Sequence, residues 1–299
     1  MSRWGNSGQL TKASYGMVKQ NPGLYKWTVR AAVYGILFGL IGVLPGIVLL
    51  GIGGALTENN DGSASGGAIA MFIIGTVVAL IGLIVGTTAA NLQMAAMVKA
   101  ADDVLNNRAI DEDACRQAAR GKTGVLLAWS AISVGMSIVV GAIRGDGSGG
   151  LVGNIARAVL AGLVAAVWAV VTTLVLPVIV LEQLGAVAAI KRSADLIRST
   201  WGEALLGSVR IGARFGFLYI LPGILLIVLG AVVAIAIGTV AIAGGVILIL
   251  IGMALVLLGA VKSATCRNVF GVALYRWATG SGALGPFSEE DLRGAVRTK

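Results

Sequence analysis

The chain has no histidine, which removes the commonest general base, the usual zinc ligand and the usual physiological pH switch together. Cysteine is scarce too: Cys115 and Cys266 are far apart, form no CxxC pair, and fall in segments expected on the cytoplasmic side, where thiols stay reduced. A structural disulfide is therefore not expected. Charge is the third shortage. Only 12% of the 299 residues are charged, about half the share of a soluble domain, while 57% are hydrophobic and the mean hydropathy is +0.90. Acids are fewer than bases, 14 against 23, giving a formal charge of +9. In a soluble protein that excess would suggest nucleic acid, but in so apolar a chain the charges must be located before they are interpreted.

What the chain has in abundance is apolar runs long enough to cross a ~30 Å hydrocarbon core, which takes about 20 helical residues. Six windows qualify: 31–52, 67–90, 123–143, 158–181, 215–237 and 239–261, and none contains Asp, Glu, Lys or Arg. The first begins behind about thirty more polar residues and is too long for a signal-peptide core, so it is expected to remain as a span. The last two form one block, Phe215 to Val261, best divided near Gly238 by a tight hairpin. Alternating sides from a cytoplasmic start puts 1–30, 91–122, 182–214 and 262–299 inside, with 21 of the 23 Lys and Arg. Arg144 and Arg157 alone lie outside. This asymmetry predicts N- and C-termini in the cytoplasm of a cell-membrane protein and reads the +9 as a topology signal that favours anionic inner-leaflet lipid, not nucleic acid. Tyr25, Trp27, Tyr34, Trp129, Phe215 and Tyr219 fall near the same interface.

The expected fold is all-α: a polytopic membrane helix bundle of six transmembrane helices in three hairpins, with cytoplasmic interfacial amphipathic helices. Residues 1–279 form a single transmembrane domain and 280–299 a cytoplasmic tail. Gly185 to Leu205 reads as an amphipathic helix with Ile190, Ala194, Ile197, Trp201 and Leu205 on one face. It suits either an interfacial helix, with Trp201 as anchor and Lys191, Arg192 and Arg198 at headgroup level, or a connector packed under the bundle. Lys12-x-Ser14-x-x-Met17-Val18-Lys19 aligns with Lys191-x-Ser193-x-x-Leu196-Ile197-Arg198 and puts Gly23 opposite Gly202, hinting at a repeated unit of helix plus hairpin. The middle segment, 100–122, fits this pattern poorly. Its carboxylates, Asp102, Asp103, Asp111, Glu112 and Asp113, read as a solvated face, since Asn106-Asn107-Arg108 looks like a turn and no EF-hand spacing is present.

Chemistry is hard to find. With no ionisable group in any window, a proton-coupled or charge-moving transporter is disfavoured. Ser130, Ser133 and Ser137 lie at helical spacing in the third window and read as a helix-packing stripe or the lining of a path. The GxxxG pairs Gly35/Gly39, Gly82/Gly86 and Gly212/Gly216 suggest close helix contacts, and Pro45, Pro177 and Pro222 should kink their spans. No P-loop, metal-ligand set or cofactor motif is present, so no catalytic residue and no cofactor is expected.

The stretch AIKRSADLIRSTWGEAL (189–205) ahead of a hairpin, with VALYRWATG (272–280) after the last span, resembles a bacterial family of uncharacterised six-span integral membrane proteins. More distantly it is similar to the membrane domain of some glycerophosphoryl diester phosphodiesterases. The catalytic barrel of those enzymes is missing, so the resemblance implies architecture and no reaction. The expected function is a non-enzymatic membrane protein acting by self-association, or by binding lipid or a membrane-protein partner. A small transport or lipid-handling module for neutral or lipidic solutes is the alternative.

Overall fold

The computed structural model describes residues 3–58, 65–145, 147, 150–200, 214–236, 239–280 and 287, and among them every regular element is helical. In order these are α1 (Arg3–Gln20), α2 (Gly23–Glu58), α3 (Gly66–Leu105), α4 (Glu112–Arg120), α5 (Thr123–Arg144), α6 (Gly150–Val171), α7 (Val175–Leu181), α8 (Ala186–Thr200), a π-helical turn (Gly216–Ile220), α9 (Leu221–Ala236) and α10 (Thr239–Ala278). Six of the helical stretches are long and apolar enough to cross a membrane. The bend expected near Gly238 lies outside the described residues.

The chain forms two compact units. One takes 1–28, 100–110 and 195–299, the other 29–99 and 111–194. In both, the most apolar stretches are the least buried: at most 33% of any spanning window is buried in protein, and Ile36, Ile47, Ile73, Leu225 and Leu250 are exposed. Their apolar area has to be covered by lipid. At 1.5 Å per residue, the 40-residue helices α3 and α10 are about 60 Å long, twice the hydrocarbon core, so each projects well beyond it. The projecting ends carry the protein's own core. In the first unit Leu24, Trp27, Leu105, Phe270 and Leu274 are almost fully buried, and all lie outside the uncharged windows.

Lipid gives helices no hydrophobic reason to associate, so close packing must do so, and glycine permits it. In the second unit α2 meets α3 backbone to backbone. A Cβ on Gly42 would collide with Gly82, one on Gly46 would lie 2.6 Å from the Gly75 carbonyl oxygen, and one on Gly86 2.6 Å from Gly39 Cα. In the first unit α9 meets α10 in the same way, a Cβ on Gly223 falling 2.7 Å from the Gly252 carbonyl oxygen. Of the expected glycine pairs, Gly35/Gly39 and Gly82/Gly86 both belong to this packing. Gly216 faces open space, and Gly212 lies outside the described residues. The heptad-spaced set Gly223, Gly230, Gly245 and Gly252 was legible only at a spacing of seven, the period of helices crossing at a shallow angle.

The prolines act in three ways. Pro45 lies within unbroken α2. Pro177 has no N–H for the carbonyl four residues back, and the helix breaks there, α6 ending at Val171 and α7 starting at Val175. Pro222 follows the π-helical turn, whose wider pitch removes the need for the bond proline cannot make.

Gly82→Val should lower the melting temperature of the purified protein by an amount corresponding to about 1–3 kcal/mol. Gly51→Val, at a glycine with nothing within 4 Å, should melt close to wild type.

Candidate functional site

The polar residues gather in the helix ends that project beyond the uncharged windows. In the first unit the end of α3 brings Asp102 and Asp103, 2% and 4% exposed, into the core. Asp102 accepts two bonds from the Arg276 guanidinium on α10, from Nε at 2.6 Å and Nη2 at 2.8 Å, a bidentate pair across 174 residues of sequence. Arg108 reaches back to both acids, Nη2 to Asp102 at 3.2 Å and Nε to Asp103 at 2.9 Å. It can do so because Asn107 takes a left-handed conformation, φ 54°, closing the expected turn. Alongside, the buried hydroxyls of Thr265 and Thr28 are 2.8 Å apart.

The reading of the acidic segment as a solvated face holds for Asp111 and Asp113, which are exposed, and is corrected at the other end of the segment. Asp102 and Asp103 are buried and paired. Asp111 is the N-cap of α4, its Oδ1 accepting from the Asp113 and Ala114 amides, while Glu112 and Asp113 pair with Arg116 on the same helix. No group of three metal-ligating side chains forms among the described residues. Asp102 and Arg276 form a clamp holding α3 to α10.

α4 also fits the repeat better than its sequence suggested. Asp113-x-Cys115-x-x-Ala118-Ala119-Arg120 aligns with the other two copies at its small, apolar and last basic positions, with Asp113 in place of their first lysine, and Gly124 follows Cys115 by the nine residues that separate Ser14 from Gly23 and Ser193 from Gly202. Burial follows the alignment: Ser14, Met17 and Val18 in α1, Cys115 and Ala119 in α4, Ser193, Leu196 and Ile197 in α8 are buried, while Lys19, Arg120 and Arg198 are exposed. Cys and Ala in place of Ser and larger apolar residues had disguised the middle copy.

The serine hydroxyls of α5 turn back onto their own helix. Each hydroxyl donates to the carbonyl four residues back: Ser130 to Leu126 at 2.7 Å, Ser133 to Trp129 at 2.9 Å, Ser137 to Ser133 at 3.0 Å. Their burial falls in that order, and Ser137 is exposed. Ser130 also ties α5 to α3, accepting from Asn91 Nδ2 at 2.9 Å.

The buried face of α8 shares Ile197 with the expected one but otherwise runs through Ala186, Ala189, Ser193 and Leu196, with Ile190 and Ala194 only half-buried and Leu205 outside the described residues. Ser193 ties α8 to the proline break, its Oγ donating to the Val171 carbonyl and accepting from the Leu174 amide at 3.3 Å. Both backbone groups would otherwise lack helical partners. Lys191 and Arg198 are exposed, and Arg192 pairs with Glu182 at 3.1 Å. Trp201 lies outside the described residues. Between α5 and α6, beside the stacked Trp129 and Trp168 rings (5.9 Å), Met136, Leu163, Val164, Val167, Trp168 and Val171 line an apolar groove of about 300 Å³.

The model of a family of unknown function, DUF6159, matches residues 113–285, over half of the chain, from α4 to beyond α10. No curated protein and no solved structure matches the chain.

Asp102→Ala should destabilise the protein by about 3 kcal/mol, since it strands the Arg276 charge in a largely buried site. Arg108→Ala, at a side chain 55% exposed whose partner Asp103 is buried, should cost about 1–2 kcal/mol, less than Asp102→Ala. Chemical denaturation in detergent micelles would read both.

Proposed function

The chain belongs to DUF6159, a family of unknown function, and we propose that it is a non-enzymatic multi-pass protein of the cell membrane, with both termini cytoplasmic, that acts by binding anionic lipid. The segregation of charge carries this reading: 21 of 23 Lys and Arg fall on alternate segments between charge-free windows. Exposed Lys191 and Arg198 add a basic surface beside the buried face of α8. Lipid is favoured over self-association because the close-packing glycines Gly42, Gly82, Gly223 and Gly252 are already used inside the chain's own hairpins.

A related reading, a lipid-handling module, is favoured by the α5–α6 groove, whose apolar lining suits an acyl chain. The serine hydroxyls of α5, occupied by their own helix, give no support to a polar solute path. The likeness of the α8 motif to a phosphodiesterase membrane domain supports architecture alone.

The orientation is tested by Ser63→Cys and Ser148→Cys in intact cells. Both should react with an impermeant maleimide from outside, while Cys115 and Cys266, being buried, stay silent. Labelling only after lysis would reverse the topology. For the lipid reading, protein in nanodiscs containing phosphatidylglycerol should melt several degrees above protein in phosphatidylcholine alone and retain phosphatidylglycerol in native mass spectrometry. Equal melting with no retained lipid would refute it.

A further inference from the structure

Arg214 and Lys262 border the uncharged block 215–261 at its two ends, and because its helices run antiparallel, with Gly259 against Tyr219 and Gly252 against Gly223, both cations stand at the same end of the hairpin. Lys262 is half-buried. Its Nζ donates to the Tyr219 hydroxyl at 2.8 Å and lies 4.4 Å from that ring's centroid. The Arg214 guanidinium lies 5.9 Å from the Tyr15 ring. Phe215, buried, sits between the two tyrosines, 6.4 Å from Tyr15 and 6.2 Å from Tyr219. The result is an aromatic row, Tyr15–Phe215–Tyr219, with a cation over each tyrosine.

These two cations are held against aromatic rings and not by an acid. Arg276, Arg108, Arg116, Arg192 and Arg30 all pair with carboxylates. Among the described residues no carboxylate pairs with Arg214 or Lys262. A half-buried ammonium held by a neutral phenol and a ring face retains its whole charge for an outside anion. Tyr219, accepting from Lys262, keeps its own hydroxyl hydrogen to donate. The position, at the last charged residues before a charge-free hairpin, is where phospholipid headgroups lie.

We propose that Arg214, Lys262 and Tyr219 form a binding site for the phosphate of an anionic phospholipid. The proposal rests on the lipid-binding reading above and names the place where it operates. A lipid is preferred to free phosphate because the site adjoins exposed apolar surface, Phe217, Leu218 and Leu221, along which acyl chains can run.

The test is native mass spectrometry of the full chain released from nanodiscs of phosphatidylcholine with increasing phosphatidylglycerol. Near an anionic surface each Lys or Arg contributes about a fivefold factor in binding, so Arg214→Ala with Lys262→Met should weaken the tightest phosphatidylglycerol site roughly 25-fold. Lys262→Arg should retain it, and so should Lys191→Ala with Arg198→Ala on α8. Should the double variant fail to insert, Arg214→Ala alone, at an exposed side chain, carries the same expectation at about fivefold. Wild-type preference for phosphatidylglycerol that survives unchanged in Arg214→Ala and the double variant overturns the site and leaves the lipid reading standing. Absence of that preference in wild type overturns both. Millimolar inorganic phosphate should leave the melting of wild type in pure phosphatidylcholine discs unchanged. Stabilisation by phosphate that disappears in the variants would assign the site to a free anion and overturn the lipid assignment.

Discussion

Hydrocarbon cannot solvate a charge or an unpaired backbone group, and the rest of this structure follows from that. Six stretches give up every Asp, Glu, Lys and Arg, leaving their apolar side chains facing outward. The polar chemistry is displaced along the same helices into ends that continue past the hydrocarbon. Asp102 is placed by α3 and Arg276 by α10, each at least a dozen residues beyond an uncharged window in which neither could be tolerated. The inversion of burial, with Phe270 and Leu274 enclosed and Ile247 and Leu250 exposed on one continuous helix, is the mark of a chain with two solvents.

The same solvent decides how helices join. In water apolar area would suffice; in lipid the gain comes from contact, and glycine lets two backbones touch. The hairpins α2–α3 and α9–α10 use this device, while α5 and α6 meet through a Trp129–Trp168 stack. Prolines, tolerated because freed backbone groups find other partners, show what such partners look like. Where Pro177 breaks a helix, Ser193 of α8 serves the exposed carbonyl and amide. That bond gives the serine of the repeated motif a structural role.

The six spans were readable because their signal is a run of residue types, independent of what they touch. The Asn106–Asn107 turn was readable for a similar reason, being local. Asp102 and Asp103 were misread because burial of a carboxylate depends on its partner, and Arg276 is 174 residues away. The serine stripe had the right periodicity, but where a hydroxyl points depends on the competing carbonyl four residues back. The middle copy of the repeat was hidden by Cys115 and Ala119, which keep the burial pattern while losing the residue types. Arg214 and Lys262 were visible as the borders of the longest uncharged block. Their lack of acidic partners was not, since that is a property of the folded neighbourhood.

The central claim, that one helix passes from lipid into a polar protein core, can be measured by collision of spin labels with oxygen and with a water-soluble nickel complex in liposomes. Labels at Ile47, Leu250 and Arg267 are all on exposed positions of long helices. At Ile47 and Leu250 oxygen should be effective and nickel excluded, and at Arg267 the order should reverse. Nickel reaching Leu250 as readily as Arg267 would contradict the account.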